Sequence, residues 1–320
     1  MTSRDTLTFI ARRLMAMAVL LVVLSFGVFC LTFLAPGDAV DAHLGLRPRT
    51  PELVAALRER YNLDEPFMMQ YWLWARDALQ FDFGVSSQST LPVSEEIGAR
   101  LGTSMFLAVY GYILAMLLGI VPGVYAALRK KQAIDRGLVA GAVIMMSMPP
   151  FVLGILMLYV FAVLIPIFPA SGLGDGFVDQ LYHLTLPALT LAFAVSAFLL
   201  RHSRGAVIGV LDQDYVTFAR ARGLNSRHIM KRYVLRNALI PVVTISGAMV
   251  AFFVIGAVFV ESVFSINGLG TLLVSSAQKS DMPMIQGLSL LIAVIIVSAN
   301  LLADIAYVAL DPRIRLGRSS

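Results

Sequence analysis

The sequence predicts an all-α polytopic membrane protein of six transmembrane helices, and three observations carry that reading. Of its 320 residues, 58% are hydrophobic and 14% are charged, which is more apolar than one soluble core of this length requires. The apolar residues gather into uncharged runs, each long enough to cross a bilayer with about 20 residues. The basic residues fall in short clusters between those runs, and six crossings bring the clusters to one face. A net charge of +5 therefore marks membrane flanks rather than a nucleic-acid surface, and nucleic acid is excluded as a partner. Cys30 is the sole cysteine and lies inside an apolar run, so it reads as a packing or lipid-facing residue and no intrachain disulfide is possible.

The first span, residues 14–35, follows Arg4, Arg12 and Arg13. It is too long for a signal-peptide core, and Pro36-Gly37-Asp38 follows it in place of a cleavage site, so the span is expected to be retained. Five further runs occupy 101–128, 137–174, 183–200, 238–260 and 282–303. The 137–174 run, as one helix, would be about 57 Å long against a hydrocarbon core of about 30 Å. It holds one span plus a loop, or two short spans. The positive-inside rule decides for one, because a seventh crossing would send the largest basic cluster outside. Met148-Pro149-Pro150 is then a kink within the third span, and Phe168-Pro169-Ala170-Ser171-Gly172 starts an external loop.

This topology groups Arg129, Lys130, Lys131 and Arg136 with Arg201, Arg204, Arg220, Arg222, Arg227, Lys231, Arg232 and Arg236, and with Arg313, Arg315 and Arg318, on the cytoplasmic side with both termini. Four parts follow: residues 1–36, tail and first span; 37–100, external; 101–311, a core of five spans with a cytoplasmic loop at 201–237; and 312–320, a cytoplasmic tail. Within the external part, Thr50-Pro51-Glu52 supplies a cap, a first-turn proline and an acidic residue for a helix with Leu53, Val54, Leu57 and Tyr61 on its apolar stripe. A second amphipathic helix is expected over 66–79, where Tyr71, Trp72 and Trp74 suit an interface or the top of a bundle.

No Gly-Lys dipeptide occurs, so the chain lacks the phosphate-cradling loop of a P-loop ATPase. The four histidines are scattered, with no metal-binding spacing and no serine–histidine pairing of a protease. No cofactor is expected in this chain, and it is not expected to be an enzyme. An ion-driven carrier needs ionisable groups at mid-membrane. Here only Glu261 and Asp304 fall within or beside apolar runs, and Asp304 reads as a structural group near the cytoplasmic surface.

The loop at 201–237 is the most informative stretch. Asp212 or Asp214 can cap a helix through Tyr215-Val216-Thr217-Phe218-Ala219-Arg220-Ala221-Arg222, which stops at Gly223, and Asn225 or Ser226 can cap a second. Small residues at Thr217, Ala219, Ala221 and Gly223 permit close approach, and Arg220 and Arg222 can make charge-assisted hydrogen bonds. Residue chemistry alone fits a basic loop on anionic lipid headgroups better than a docking helix.

A resemblance reverses that balance. Asp214-Tyr215-Val216-Thr217-Phe218-Ala219-Arg220-Ala221-Arg222-Gly223-Leu224, followed by Leu235-Arg236-Asn237-Ala238-Leu239-Ile240-Pro241, resembles the coupling loop of binding-protein-dependent ABC importers of the dipeptide and oligopeptide type. Leu63-Asp64-Glu65-Pro66, Gln70-Tyr71, Phe81-Asp82-Phe83-Gly84, Ser147-Met148-Pro149-Pro150-Phe151, Glu261-Ser262-Val263-Phe264, Gly268-Leu269-Gly270 and Ala309-Leu310-Asp311-Pro312-Arg313 extend the resemblance over nearly the whole chain. It departs where Thr217 stands in place of the family's usual glutamate, and where Phe218 replaces a small residue.

The resemblance implies a type I importer permease fold in the bacterial inner membrane and a second homologous permease, related or identical. It also implies two ATP-binding subunits that hold ATP and Mg, and an external solute-binding protein. The residues from Asp214 to Leu224 become the ATPase-coupling element. Substrate stays open among peptides, nickel chelates, glutathione and other small solutes. An ion-coupled carrier or channel is the alternative of a different class, opposed by the bare spans and the docking loop.

Overall fold

The computed structural model describes residues 3–34, 38–44 and 48–310, with side chains given for all but 3–10, 42–43 and 306–310. Pro36, Gly37, Asp311 and Pro312 lie outside the described residues, as do the tail arginines Arg313, Arg315 and Arg318. The described chain is helical throughout apart from turns and one isolated Val85–Pro92 bridge.

In chain order the helices are α1 (Ser3–Leu34), α2 (Ala39–Leu44), α3 (Pro51–Arg60), α4 (Phe67–Leu79), α5 (Val93–Leu128), α6 (Ala133–Met146) and α7 (Pro150–Leu158). There follow α8 (Phe177–Leu211), α9 (Asp214–Ala221), α10 (Ser226–Ile229), α11 (Arg236–Ala248), α12 (Val250–Val263), α13 (Leu269–Gln278) and α14 (Met282–Leu310). Wide π-helical turns at Tyr159–Leu164 and Met230–Leu235 extend α7 and join α10 to α11.

Helices α1, α5, α8 and α14 are each long and apolar enough to cross a membrane. Two bent pairs bring the number to six when each pair is one span: α6 with α7 and its extension, bent by 107°, and the helix from Ser226 to Ala248 with α12, bent by 47°. The 107° bend corrects the expectation of a kink at Met148-Pro149-Pro150. Pro149 takes the N-cap position and Pro150 begins α7, so neither can donate back to α6 and the helix stops instead of flexing.

The chain divides into two compact units, with boundaries inside α5 and α14. One comprises the chain up to Met105 and Asn267–Ser298. In it, Thr50 accepts from Leu53 N at 3.3 Å to cap α3, as its sequence requires, and Leu57 packs with Val40 and Leu44. Tyr71 and Trp74 of α4 meet the Phe29 ring of α1 at 5.5 and 5.8 Å between centroids, while Trp72 is exposed. Buried polar groups fix the same unit. Asp281 accepts from the Ser86 hydroxyl and from Ser87 N at 3.1 Å, and Gln286 Nε2 donates to Thr32 Oγ1 at 2.8 Å.

The other unit holds Phe106–Ile266 and the helix from Ala299 on. Its centre is α8, whose most apolar window is 67% buried. Pairs of small residues let α5 press against it: a Cβ added at Gly123 would lie 2.6 Å from the Leu200 carbonyl oxygen, and one at Gly119 would lie 2.5 Å from Leu199 Cβ. Such close backbone approach is how membrane helices gain packing where lipid removes the hydrophobic drive. Leu107, Leu184, Leu199 and Phe253 complete the main core. The sequence placed the fourth span at 183–200 and a loop from 201. In the structure α8 continues to Leu211, because Arg204 finds a carboxylate partner and the helix has no breaker before Asp212.

Candidate functional site

Helix α9 and its surroundings lie wholly in the second of these units. Gln213 occupies the N-cap position without a side-chain cap, which corrects the expectation that Asp212 or Asp214 caps the helix. Asp214 is the first helical residue and Asp212 faces Lys130 at 3.5 Å across exposed surface. The acidic Asp214 still favours the positive end of the helix dipole. At the far end Gly223 has φ +75°, the left-handed geometry expected where a helix terminates on glycine. Asn225 caps α10 by accepting from Arg227 N at 2.9 Å.

The two faces of α9 differ. Val216 and Ala219, three apart, are buried with Ala127, Val207, Ile229, Val234 and Ala238. Tyr215, Thr217, Phe218, Arg220, Ala221 and Arg222 are exposed, with Gly223 and Leu224 after them. Phe218 is 68% exposed, which for a phenylalanine beside a packed cluster is an unpartnered apolar group. Tyr215, Phe218 and Arg222 follow the i, i+3, i+7 spacing of one helix face. Neither Arg220 nor Arg222 has a side-chain ion pair among the described residues. The Tyr215 hydroxyl accepts from Asn237 Nδ2 at 3.3 Å, so the second half of the motif holds the first in place.

This geometry corrects one residue-level expectation. Ala219 is small because its own chain packs against it, not because an outside surface does. Gly223 is required by its φ, since a Cβ there would meet nothing within 4 Å. The outward groups are the bulky Tyr215 and Phe218.

Below α9, Asp135 of α6 is 3% exposed and takes both arms of Arg204 of α8, at 2.5 and 2.8 Å, while accepting from Lys131 N at 2.9 Å. Sequence reading assigned Arg204 to a loop and did not single out Asp135. A signal existed in Asp135 lying among basic neighbours at the start of an apolar run. Glu261 is fully buried in this unit and Asp304 is half-buried in α14.

Helices long and apolar enough to span a membrane, packed in this unit around a buried α8, with a short amphipathic helix left bare, describe a polytopic membrane component with a face open to a partner. Residues 101–316 match the family described as the binding-protein-dependent transport system inner membrane component, and residues 6–108 match its N-terminal family. The chain belongs to that family. A putative peptide permease of Brucella suis is 35% identical over 304 residues, covering 93% of this chain and 95% of that protein. A glutathione transport system permease, GsiC, of Salmonella choleraesuis is 36% identical over 310 residues, covering 97% and 99%. Among solved structures, a chain of the methionine ABC transporter MetNI in an inward-facing conformation superposes with a TM-score of 0.53 at 16% identity, over 67% of this chain and 96% of that one. That likeness concerns the fold, the type I permease fold that the motifs imply.

Proposed function

We propose that this chain is one of two permeases in an ATP-driven importer of peptide-class solutes, glutathione-like tripeptides included. Two partner ATPases hold ATP and Mg, and an external binding protein delivers the solute. The relatives' names supply the solute class, and the exposed Tyr215–Phe218–Arg222 face of α9 carries the mechanism. An aromatic pair flanked by guanidiniums with no ion pair is the composition of an interface anchor, and its other side is already occupied by the chain's own core. ATP closes the ATPase pair, and α9, rigidly joined through Val216 and Ala219 to α8 and α11, transmits that movement to the spans. The loop and both termini then face the cytoplasm, and the chain itself carries no catalytic step.

The test substitutes Phe218→Asp. The expected result is normal membrane insertion with ATPase copurification weakened about thirtyfold or more, since loss of a buried aromatic anchor costs about 2 kcal/mol at interfaces. Undiminished copurification and solute-stimulated ATP hydrolysis would remove α9 as the coupling element. A lipid-surface role predicts instead weakened membrane association with the complex intact.

A further inference from the structure

A cavity of about 640 Å³ opens between α6, α8 and α11, all within one unit. Small-molecule pockets occupy roughly 300 to 1,000 Å³. Its walls are apolar at Met146, Phe198 and Val242, and two adjacent α8 residues, Arg201 and His202, supply its charge and hydrogen-bonding capacity. One turn further along α8, Arg204 is held by Asp135. Arg201 has no such partner among the described residues and stands exposed at the mouth of the cavity, at the cytoplasmic flank of α8.

His202 is already oriented. Its Nδ1 lies 3.0 Å from the Phe198 carbonyl, and its ring packs on Phe198 with centroids 3.9 Å apart. A carbonyl only accepts, so Nδ1 carries the proton and Nε2 is the ring nitrogen without that bond. An unpaired guanidinium walled by apolar side chains suits a carboxylate, which its fork can bind through both oxygens, and the accepting Nε2 of His202 suits an N–H of the same solute.

We propose that this cavity is a solute subsite in which Arg201 takes the free carboxylate of the solute in transit. The proposal rests on the importer reading above. A lipid phosphate offers similar charge, but walls from three helices favour a detached solute over a headgroup at an open surface.

The experiment uses the complex purified with its partners in lipid nanodiscs, with Cys30→Ala as background and Gly205→Cys as reporter. Gly205 lines the cavity, and a Cβ there meets nothing within 4 Å. The rate of thiol labelling is measured with dialanine or dialanine amide present. Dialanine should slow labelling, the amide should do so about tenfold less effectively, and Arg201→Gln should abolish the difference while Arg201→Lys keeps part of it. Equal protection by the amide, or protection that survives Arg201→Gln, overturns the proposal. So does labelling that follows the anionic-lipid content of the nanodisc and ignores dialanine. ATP-driven uptake of dialanine is measured in parallel. Uptake without carboxylate-dependent protection removes the subsite alone, whereas protection without uptake keeps the anion site and removes the import reading.

Discussion

Ala219 is 4% exposed, so any larger side chain there must displace the cluster it shares with Val207, Ile229 and Val234. Arginine keeps nearly the helix propensity of alanine, but at this position it would force a charge into the chain's own apolar packing. We expect Ala219→Arg to destabilise the α9 region by on the order of 3 kcal/mol. Fast amide exchange throughout α9 and α10 should report it, before any partner is added. Phe218→Asp should leave the same amides protected. Equal protection of α9 in Ala219→Arg and the unmodified chain would contradict the packing account. Gly223→Ala belongs to a third class, because φ +75° costs a non-glycine residue about 1 kcal/mol. The Gly223 stop and the Asn225 cap were legible from residue type, since both act through their own backbone. The inward turn of Ala219 was not, because small residues suit a tight internal contact and an external one equally. Only the position of Val207 and Val234 in space separates the two.

Helices α6 and α8 are tied by Asp135 and Arg204, and the strength of that tie is measurable. Removing one partner of a buried pair leaves the other charge desolvated, at a cost of about 3 to 5 kcal/mol. Asp135→Ala should therefore lower the thermal stability of the purified chain more than Asp135→Ala with Arg204→Met does. Additive losses would show that the contact contributes nothing. At this scale the long helices were legible from runs of uncharged residues, α3 from its cap and stripe, and α4 from its amphipathic pattern. The run 137–174 hid its break, because Met148-Pro149-Pro150 specifies that a helix stops but not the angle at which the next one leaves. The extension of α8 to Leu211 was hidden because Arg204 looks like a flanking charge until Asp135 is seen beside it. The topology has its own test: single cysteines at positions 90, 133 and 225, in a Cys30→Ala background, probed with an impermeant thiol reagent in intact cells. Position 90 should react, and 133 and 225 should react only after the membrane is opened. Opposite behaviour at 133 and 225 would mean that the α6–α7 pair enters and leaves on one side.

Whole-molecule behaviour follows from what the spans leave uncovered. The most apolar windows of α1 and α14 are 6% and 11% buried, against 67% for α8, so α1 and α14 present apolar surface that lipid or another membrane protein must cover. Their side chains offer few groups to solvate a polar solute. The cavity beside α8 has polar side chains only at Arg201 and His202, too few to line a wet path through that unit. A peptide crossing it alone would lose hydrogen bonds to water at each amide with little in return, and each unsatisfied amide costs several kcal/mol in hydrocarbon. On the function proposed above, a second permease closes the path with its own polar surface. We therefore expect vesicles containing this chain alone to show no dialanine uptake above protein-free vesicles. Vesicles holding both permeases and the ATPases, with binding protein and ATP supplied, should accumulate dialanine, and accumulation should stop when ATP is omitted. Uptake by the chain alone, with or without ATP, would place a complete path within one subunit and replace the paired-permease account with that of a channel.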